Sequence, residues 1–184
     1  MITIGVILAV IVIGVTYGLD AYNNFIKMVN KIDEAYATMD VYLKKRYDLI
    51  PNLVNTVKGY AAHEAETLDR VIQARNTARD AATMEDKIES ESALEGTLSR
   101  LFALAEAYPD LKANTSFLDL QKQLSGIEDE IANSRKYYNA VVREYNTKTE
   151  TFPSRIIAGF FKFEKIPMFE IAEAEERENV TVQF

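Results

Sequence analysis

The chain begins with an uncharged run, MITIGVILAVIVIGVTYGL (residues 1–19), and its first charged residue is Asp20. As an α-helix this run would span about 28 Å, close to the hydrocarbon core of a bilayer, which is about 30 Å thick. No Lys or Arg precedes the run, and the sequence around its end, from Tyr17 to Ala21, is a poor signal-peptide cleavage site. We therefore expect residues 1–19 to be a retained transmembrane anchor, and the protein to cross the cell membrane once.

Small residues in the anchor form two pairs with four-residue spacing, Gly5 with Ala9 and Gly14 with Gly18. At about 100° per residue, the two pairs lie on opposite sides of one helix. Small residues let helices approach closely in lipid, and two opposed faces favour a head-to-tail contact that closes into a ring or continues as a filament. The pattern predicts a homo-oligomer, with a ring as one form. The alternative is that the anchor is only a tether.

The composition excludes several kinds of protein. The chain has 184 residues, no cysteine and a net charge of −7. Without cysteine there are no disulfides and no thiolate metal sites, and the acidic balance makes nucleic acid an unsuitable partner. Lys27 and Lys31 follow the anchor, whereas nothing basic precedes it. By the positive-inside rule, this asymmetry favours a cytoplasmic location for the C-terminal part.

Residues 20–150 have the pattern of amphipathic helices, because apolar residues recur at steps of three and four. The first helix is expected to run unbroken from the anchor to Ile50. Three capping signals are expected to open later helices: Asp48 before Pro51, Thr83 before Asp86, and Ser116 before Asp119. We therefore predict an all-α fold, in which the anchor is followed by an antiparallel bundle of long helices over residues 20–150.

Three charged residues, Arg46, Glu64 and Arg75, interrupt the apolar stripes of these helices. Buried charges are costly unless they are paired. We expect these residues to lie at stripe edges or to form ion pairs between helices that fix the helix register. The alternative is a polar ligand site inside the bundle.

No catalytic or metal-binding pattern is present in the sequence. His63 is the only histidine, and His63-Glu64 lacks the second histidine of a zinc H-E-x-x-H motif, since residue 67 is Thr. A di-iron bundle would also need two histidines. We therefore expect no catalytic residue, no metal site and no cofactor, and we interpret His63 as a surface residue.

Residues 151–169 are predicted to form a short amphipathic helix, which covers Phe152 to Ile166 and is ended by Pro167. On a helical wheel one half is apolar and the other is basic. The apolar half contains Phe152, Ile156, Ile157, Phe160, Phe161 and Phe163, and the basic half contains Arg155, Lys162 and Lys165. This pattern is typical of a helix in a membrane interface. The alternative is packing against the bundle or a neighbouring subunit.

The last segment, residues 170–184, is predicted to be an acidic tail, with Glu170, Glu173 and Glu175 among its charged residues. Its final residues, Val180 to Phe184, alternate like a strand that could add to a partner's sheet edge. Disorder is the favoured interpretation.

Several segments resemble the LemA family. The first two are DVYLKKRYDLIPNLV (residues 40–54) and VKGYAAHE (57–64), followed by AEAYPDLKAN (105–114). Tyr138-Asn139, Tyr145-Asn146 and Phe152-Pro153 also match. The resemblance covers essentially the whole chain and implies a single-pass bacterial or archaeal membrane protein with a helical-bundle domain. It implies no activity, because the family has no established enzymatic function.

The sequence thus favours a non-enzymatic, membrane-anchored helical scaffold. We expect it to self-assemble and to organise the lipid bilayer or membrane-bound protein partners. The alternative is a binding module, in which the bundle recognises a ligand or another membrane protein.

Overall fold

The computed structural model describes residues 2–169, with side chains from residue 3 onward, so the predicted acidic tail over residues 170–184 lies outside the described residues. The described residues contain six α-helices and no strand. The helices are α1 (Ile2–Lys58), α2 (Ala65–Asp80), α3 (Met84–Ala105), α4 (Pro109–Lys112), α5 (Thr115–Glu150) and α6 (Ser154–Phe161). A 3₁₀ turn over Ala62–Glu64 precedes α2. The all-α prediction is therefore confirmed.

The described residues form two compact units. Unit 1 contains the part of α1 up to Asp40 together with Ala132–Met168, and unit 2 contains Val41–Ile131 with Phe169. In unit 1 the antiparallel helices α1 and α5 pack through aromatic pairs, since Phe25 meets Tyr145 at a ring separation of 5.9 Å and Tyr36 meets Tyr138 at 6.2 Å. In unit 2, α1, α2, α3 and α5 surround a core of aliphatic side chains. This core includes Leu43, Ile50, Leu68, Val71, Leu94, Leu98, Leu101 and Leu124.

Helix α1 continues through Pro51, where the sequence predicted a break and a new helix capped by Asp48. A proline inside a helix cannot donate a hydrogen bond to the carbonyl four residues earlier, which here belongs to Tyr47. The side chain of Arg75 on α2 donates to this carbonyl instead, with Nε 2.9 Å from the oxygen. A side chain on a neighbouring helix therefore supplies a hydrogen bond at the point where Pro51 cannot.

The other capping predictions have mixed outcomes. Thr83 caps α3 as predicted, because its hydroxyl accepts a hydrogen bond from the backbone N–H of Asp86 at 3.1 Å. The predicted Ser116 cap is wrong, since α5 already begins at Thr115. Asn114 takes that role, and its side-chain oxygen accepts from the N–H of Phe117 at 2.9 Å. Asn is as good an N-cap as Ser, so propensity alone does not choose between them.

The C-terminal amphipathic helix is shorter than the sequence predicts. Helix α6 ends at Phe161, and Lys162 adopts a left-handed conformation with φ 58°. The N–H of Phe163 then bonds to the carbonyl of Ala158 at 2.9 Å, as in a Schellman termination. This turn points the chain back along unit 1 well before Pro167, which was expected to end the helix. Residues 163–169 have no regular secondary structure.

Candidate functional site

The first candidate surface is the N-terminal part of α1. Among the described residues this is the one helix that is long and apolar enough to cross a membrane, and 6% of its apolar window is buried within the chain. Gly5 and Gly14 face open space, because a Cβ placed on either would have no neighbour within 4 Å. Ala9 is exposed as well. The surface of this segment is therefore free to meet lipid or another helix.

Gly18 differs from the other small residues of the anchor. A Cβ placed on it would lie 3.7 Å from Cδ1 of Ile157 on α6, so this glycine accommodates α6 within the same chain. One turn later, Tyr22 meets Phe161 with ring centroids 4.6 Å apart. Helix α6 thus lies beside α1 from Gly18 to Tyr22, where the uncharged run ends.

Helix α6, together with Phe152 before it, presents apolar side chains on two sides. Ile157 and Phe161 contact α1, and Ala158 between them is buried. On the other side lie three side chains that we call the exposed triad. The exposed triad consists of Phe152, Ile156 and Phe160, which are 81%, 61% and 79% exposed. The helical wheel placed all six apolar residues on one face, but packing separates them into a contact face and an exposed face.

The position of Phe163 also differs from the sequence-based prediction. It was assigned to the same apolar face as Phe160, but it lies beyond the end of α6 and stacks on Phe25 with ring centroids 4.7 Å apart. The predicted basic face also changes. Arg155 and Lys162 are exposed, whereas Lys165 forms an ion pair with Glu150 at 2.6 Å.

The segment after α6 is held against unit 1 by residues that sequence reasoning quoted only as part of a resemblance. Asn146 binds the backbone of Ile166 twice, at 2.8 Å through its side-chain nitrogen and at 3.0 Å through its oxygen. The hydroxyl of Tyr138 donates to the carbonyl of Pro167 at 3.2 Å. Tyr138 and Asn146, one from each Tyr-Asn pair of α5, therefore fasten the segment that follows α6.

The second candidate site is a buried polar network in unit 2. Arg46 on α1, which is 2% exposed, forms ion pairs with Glu91 on α3 and Glu128 on α5. Nη1 of Arg46 lies 2.8 and 2.9 Å from the two carboxylate oxygens of Glu128. Tyr47 also donates its hydroxyl hydrogen to Glu91. One arginine therefore joins three helices, and any slip between them would leave a buried charge unpaired.

Lys87 extends this network along α3. Its ammonium group donates to the carbonyl of Ala78 at 2.9 Å and lies 5.3 Å from the ring centre of Tyr47. Lys87, Glu91, Leu94 and Leu98 follow one another at steps of three and four, so two charged residues occupy the buried stripe of α3. That spacing was a signal for Glu91 and Lys87 that the sequence analysis did not use.

The other two charged residues of the apolar stripes have different partners. Arg75 binds the carbonyl of Tyr47 and the side chain of Asn76, at 2.9 and 3.0 Å. Glu64 accepts a hydrogen bond from the hydroxyl of Tyr108 at 3.3 Å. The structure therefore brings Arg46 into a charged cluster, whereas Arg75 binds a backbone carbonyl of α1 and Glu64 on the 3₁₀ turn binds Tyr108 just before α4.

Two segments distant in sequence meet around Glu64. Asn114 donates from its side chain to the hydroxyl of Tyr60 at 2.8 Å, and Tyr108 bonds to Glu64. Desolvation, followed by the charge of Glu64, raises the pKa of Tyr108 above its ordinary value, so this hydroxyl stays protonated. His63 lies exposed on the 3₁₀ turn beside them. The segments over residues 57–64 and 105–114 thus form one polar surface of unit 2.

Two grooves of unit 2 are small. One groove of about 200 Å³ lies between α1 and α2 beside Pro51 and Leu68, and another of about 260 Å³ lies between α2 and α3 beside Arg70 and Arg100. Pockets for small molecules usually measure about 300–1,000 Å³. Within residues 2–169, no three or more Asp, Glu or His side chains cluster in a way that could hold a metal ion.

Comparison with known proteins identifies related chains. The LemA family model matches residues 35–184. The chain is 26% identical to Protein LemA of Metamycoplasma hominis, over 83% of this chain and 70% of that protein. It is 22% identical to the magnetosome protein MamQ of Magnetospirillum gryphiswaldense and to MamQ 2 of Paramagnetospirillum magneticum, in each case over 88% of this chain and 69% of the relative.

These relatives and the apolar part of α1 together support a membrane location for this helical protein. The family match extends over most of the chain and includes the segments that meet around Glu64 and the residues of α5 that fasten the segment after α6. The chain therefore belongs to the LemA family.

Proposed function

We propose that this protein is a non-enzymatic scaffold that is anchored in a membrane, associates with copies of itself and organises the membrane or proteins bound to it. The observation that carries this proposal is the open surface of α1 at Gly5 and Gly14. Helices associate in lipid where small residues let their backbones approach closely. The anchor therefore has room for a second helix without any change within the chain.

The charged network of unit 2 supports a scaffold rather than an enzyme. Arg46 and Glu91 are almost fully buried and are paired with each other, which suits a role in fixing helix register. A catalytic acid or base must instead reach a substrate. The small grooves of unit 2 also favour structural packing over binding of a small molecule.

Self-association is tested by replacing the open glycines of the full-length protein and sizing it after detergent extraction. We expect Gly14→Leu and Gly5→Leu each to reduce particle size, because leucine fills the surface that a second helix would use. Gly18 is unsuitable for this test, because a larger residue there would also meet Ile157. Ile13→Leu, at a position 67% exposed on the same helix, is the matched control.

The outcome separates a scaffold from a tether. Large particles that shrink with Gly14→Leu or Gly5→Leu, but not with Ile13→Leu, support assembly through the anchor. Particles of one-chain size for the unaltered protein, by mass photometry and electron microscopy, would contradict it.

A second function, recognition of a protein partner through unit 2, is favoured by one observation. Tyr60, Glu64, Tyr108 and Asn114 form a polar surface from two separate segments, and Tyr60 is 42% exposed. Tyrosine is enriched at binding hot spots because it combines a large apolar ring with a hydroxyl. If so, chains with Tyr60→Ala or Tyr108→Ala should no longer form the cross-links to membrane proteins that the unaltered chain forms. Unchanged cross-linking would remove this alternative.

A further inference from the structure

The exposed triad contains the most exposed apolar side chains of the described residues outside the anchor, and within the chain Phe160 makes an edge contact with the ring of its neighbour Phe161, with centroids 5.0 Å apart. Phe152 and Phe160 are the two most exposed of the large hydrophobic side chains, and Ile156 lies between them. Aromatic side chains contribute strongly to interfaces, each burying about 150–250 Å². Such side chains are rarely left in water as a group unless a partner or a membrane covers them.

The position of α6 indicates which partner covers the triad. Ile157 lies against Gly18 and Phe161 against Tyr22, so α6 is fixed beside the residues where the uncharged run of α1 ends at Leu19. If the run from residue 3 to 19 crosses the bilayer, α6 lies at one membrane–water interface. The exposed triad belongs to the other side of α6, and it is therefore carried by a helix that lies where the uncharged run ends.

The surrounding side chains agree with an interfacial position. Tyr17 and Tyr22 flank the end of the run, and tyrosine is enriched where membrane meets water. Arg155 and Lys162 are exposed at either end of α6. Long basic side chains can cover apolar surface while their charged ends reach headgroups.

The size of the triad argues against a second copy of the chain as its main partner. Three side chains provide well under the roughly 800 Å² that each partner contributes to a standard protein interface. A membrane has no such requirement, because each apolar side chain that enters it gains free energy separately.

We propose, on the basis of the membrane location and independently of self-association, that the exposed triad inserts into the lipid interface beside the anchor. Helix α6 is thus a second membrane contact, held in place by Gly18, Tyr22 and the turn at Lys162. It sets the tilt and rotation of unit 1 against the membrane surface. Phe152 and Phe160 enter the acyl-chain boundary, whereas Phe161 remains on α1.

The chain contains no tryptophan, so a single Phe160→Trp substitution gives an unambiguous fluorescent probe. The full-length variant is reconstituted in vesicles of phosphatidylcholine and phosphatidylglycerol, with or without brominated acyl chains. We expect blue-shifted emission that brominated lipid quenches about twofold, as for a side chain at the acyl boundary. Flotation of the vesicles checks that the protein is membrane-bound.

Tyr137→Trp is the matched control in the same unit. Tyr137 is 47% exposed on α5, next to Tyr138, which meets Tyr36. Tyr36 is seventeen residues beyond Leu19 on α1, or about 25 Å along the helix. Tryptophan at position 137 should therefore not be quenched by brominated lipid.

Two results would overturn the proposal. Emission from position 160 that brominated lipid does not quench, but that is shielded from acrylamide, would mean that protein covers the triad. Emission that acrylamide quenches freely would mean that the triad faces water. A variant that fails to float with vesicles would contradict the membrane location as well. Self-association is tested separately, by the particle size of the glycine variants.

Discussion

Unit 1 and unit 2 hold parts of the same two helices, α1 and α5, with different chemistry. In unit 1 the contacts are aromatic, with Phe25 between Tyr145 and Phe163. In unit 2 the same helices are joined by the ion pair between Arg46 and Glu128, which also recruits Glu91 from α3. Aromatic packing is adaptable, whereas a buried ion pair is satisfied in one register only. Unit 2 is therefore the part in which sequence changes should be least tolerated.

The largest effect is expected from Arg46→Met. This change leaves the carboxylate of Glu91 buried without its cation, which costs about 3–5 kcal/mol of unfolding free energy. The measurement is urea unfolding of the full chain in detergent, followed by circular dichroism, with hydrogen exchange to show which unit opens.

Two controls sharpen this result. Glu128→Gln should cost less, because the Glu128 side chain is 37% exposed and water can replace its partner. The double change Arg46→Met with Glu91→Met should recover most of the loss. If Arg46→Met alone has no effect on the exchange of unit 2, the ion pair does not hold the helices.

Phe25→Ala is the corresponding test in unit 1. Phe25 is fully buried and stacks on Phe163, so the expected loss is about 3 kcal/mol from a large-to-small core change. Hydrogen exchange should increase in α6 and in residues 163–168 more than in α3. Equal increases in both units would mean that the chain unfolds as one cooperative body, and the difference that we expect between unit 1 and unit 2 would be wrong.

Arg75→Met tests how α1 continues through Pro51. Arg75→Met removes the side-chain donor to the carbonyl of Tyr47 at a position where Pro51 has no N–H to supply one, so we expect a loss of about 1–2 kcal/mol of unfolding free energy. Pro51→Ala restores a backbone donor and should reduce the cost of Arg75→Met in a double-mutant cycle. Additive effects would show that the two residues act independently.

The neighbouring residues Phe160 and Phe161 allow a matched comparison within α6. Phe161→Ser removes the contact with Tyr22 and should cost about 1 kcal/mol, whereas Phe160→Ser should change stability by less than about 0.5 kcal/mol. Thermal melting of the two variants in detergent is the measurement. A larger loss for Phe160→Ser would mean that the exposed triad packs on the protein.

The smallest expected effect is an alkaline loss of stability in unit 1. Burial, and then the charge of Glu164, raises the pKa of Tyr145 above its ordinary value of 10.0. Because the folded state favours the protonated phenol, this contribution is complete below pH 10 and is lost as pH rises through the folded pKa. Tyr145→Phe keeps the ring against Phe25 and should remove this part of the decline in melting temperature. An unchanged decline would mean that other groups cause it.

The sequence predicted the elements better than their boundaries. The uncharged run, the helical periodicity and the Thr83 cap are local patterns, and the corresponding helices are present. The break at Pro51 was predicted wrongly because the donor that compensates for it, Arg75, lies on another helix. The end of α6 was predicted wrongly because the chain turns at Lys162 and Phe163 packs against Phe25 on α1, a contact between distant parts of the sequence that a helical wheel does not contain.

By itself the sequence determined the helical class, the apolar segment of α1 and the presence of charges on buried stripes, because these follow from composition and period along one chain. Only the tertiary structure decided which carboxylates pair with Arg46 and which aromatic residues of α6 remain exposed. Both outcomes depend on residues brought together from distant parts of the chain, such as Glu91 with Arg46 and Ile157 with Gly18. A helical wheel describes one helix, whereas burial is a property of the neighbours that the fold supplies.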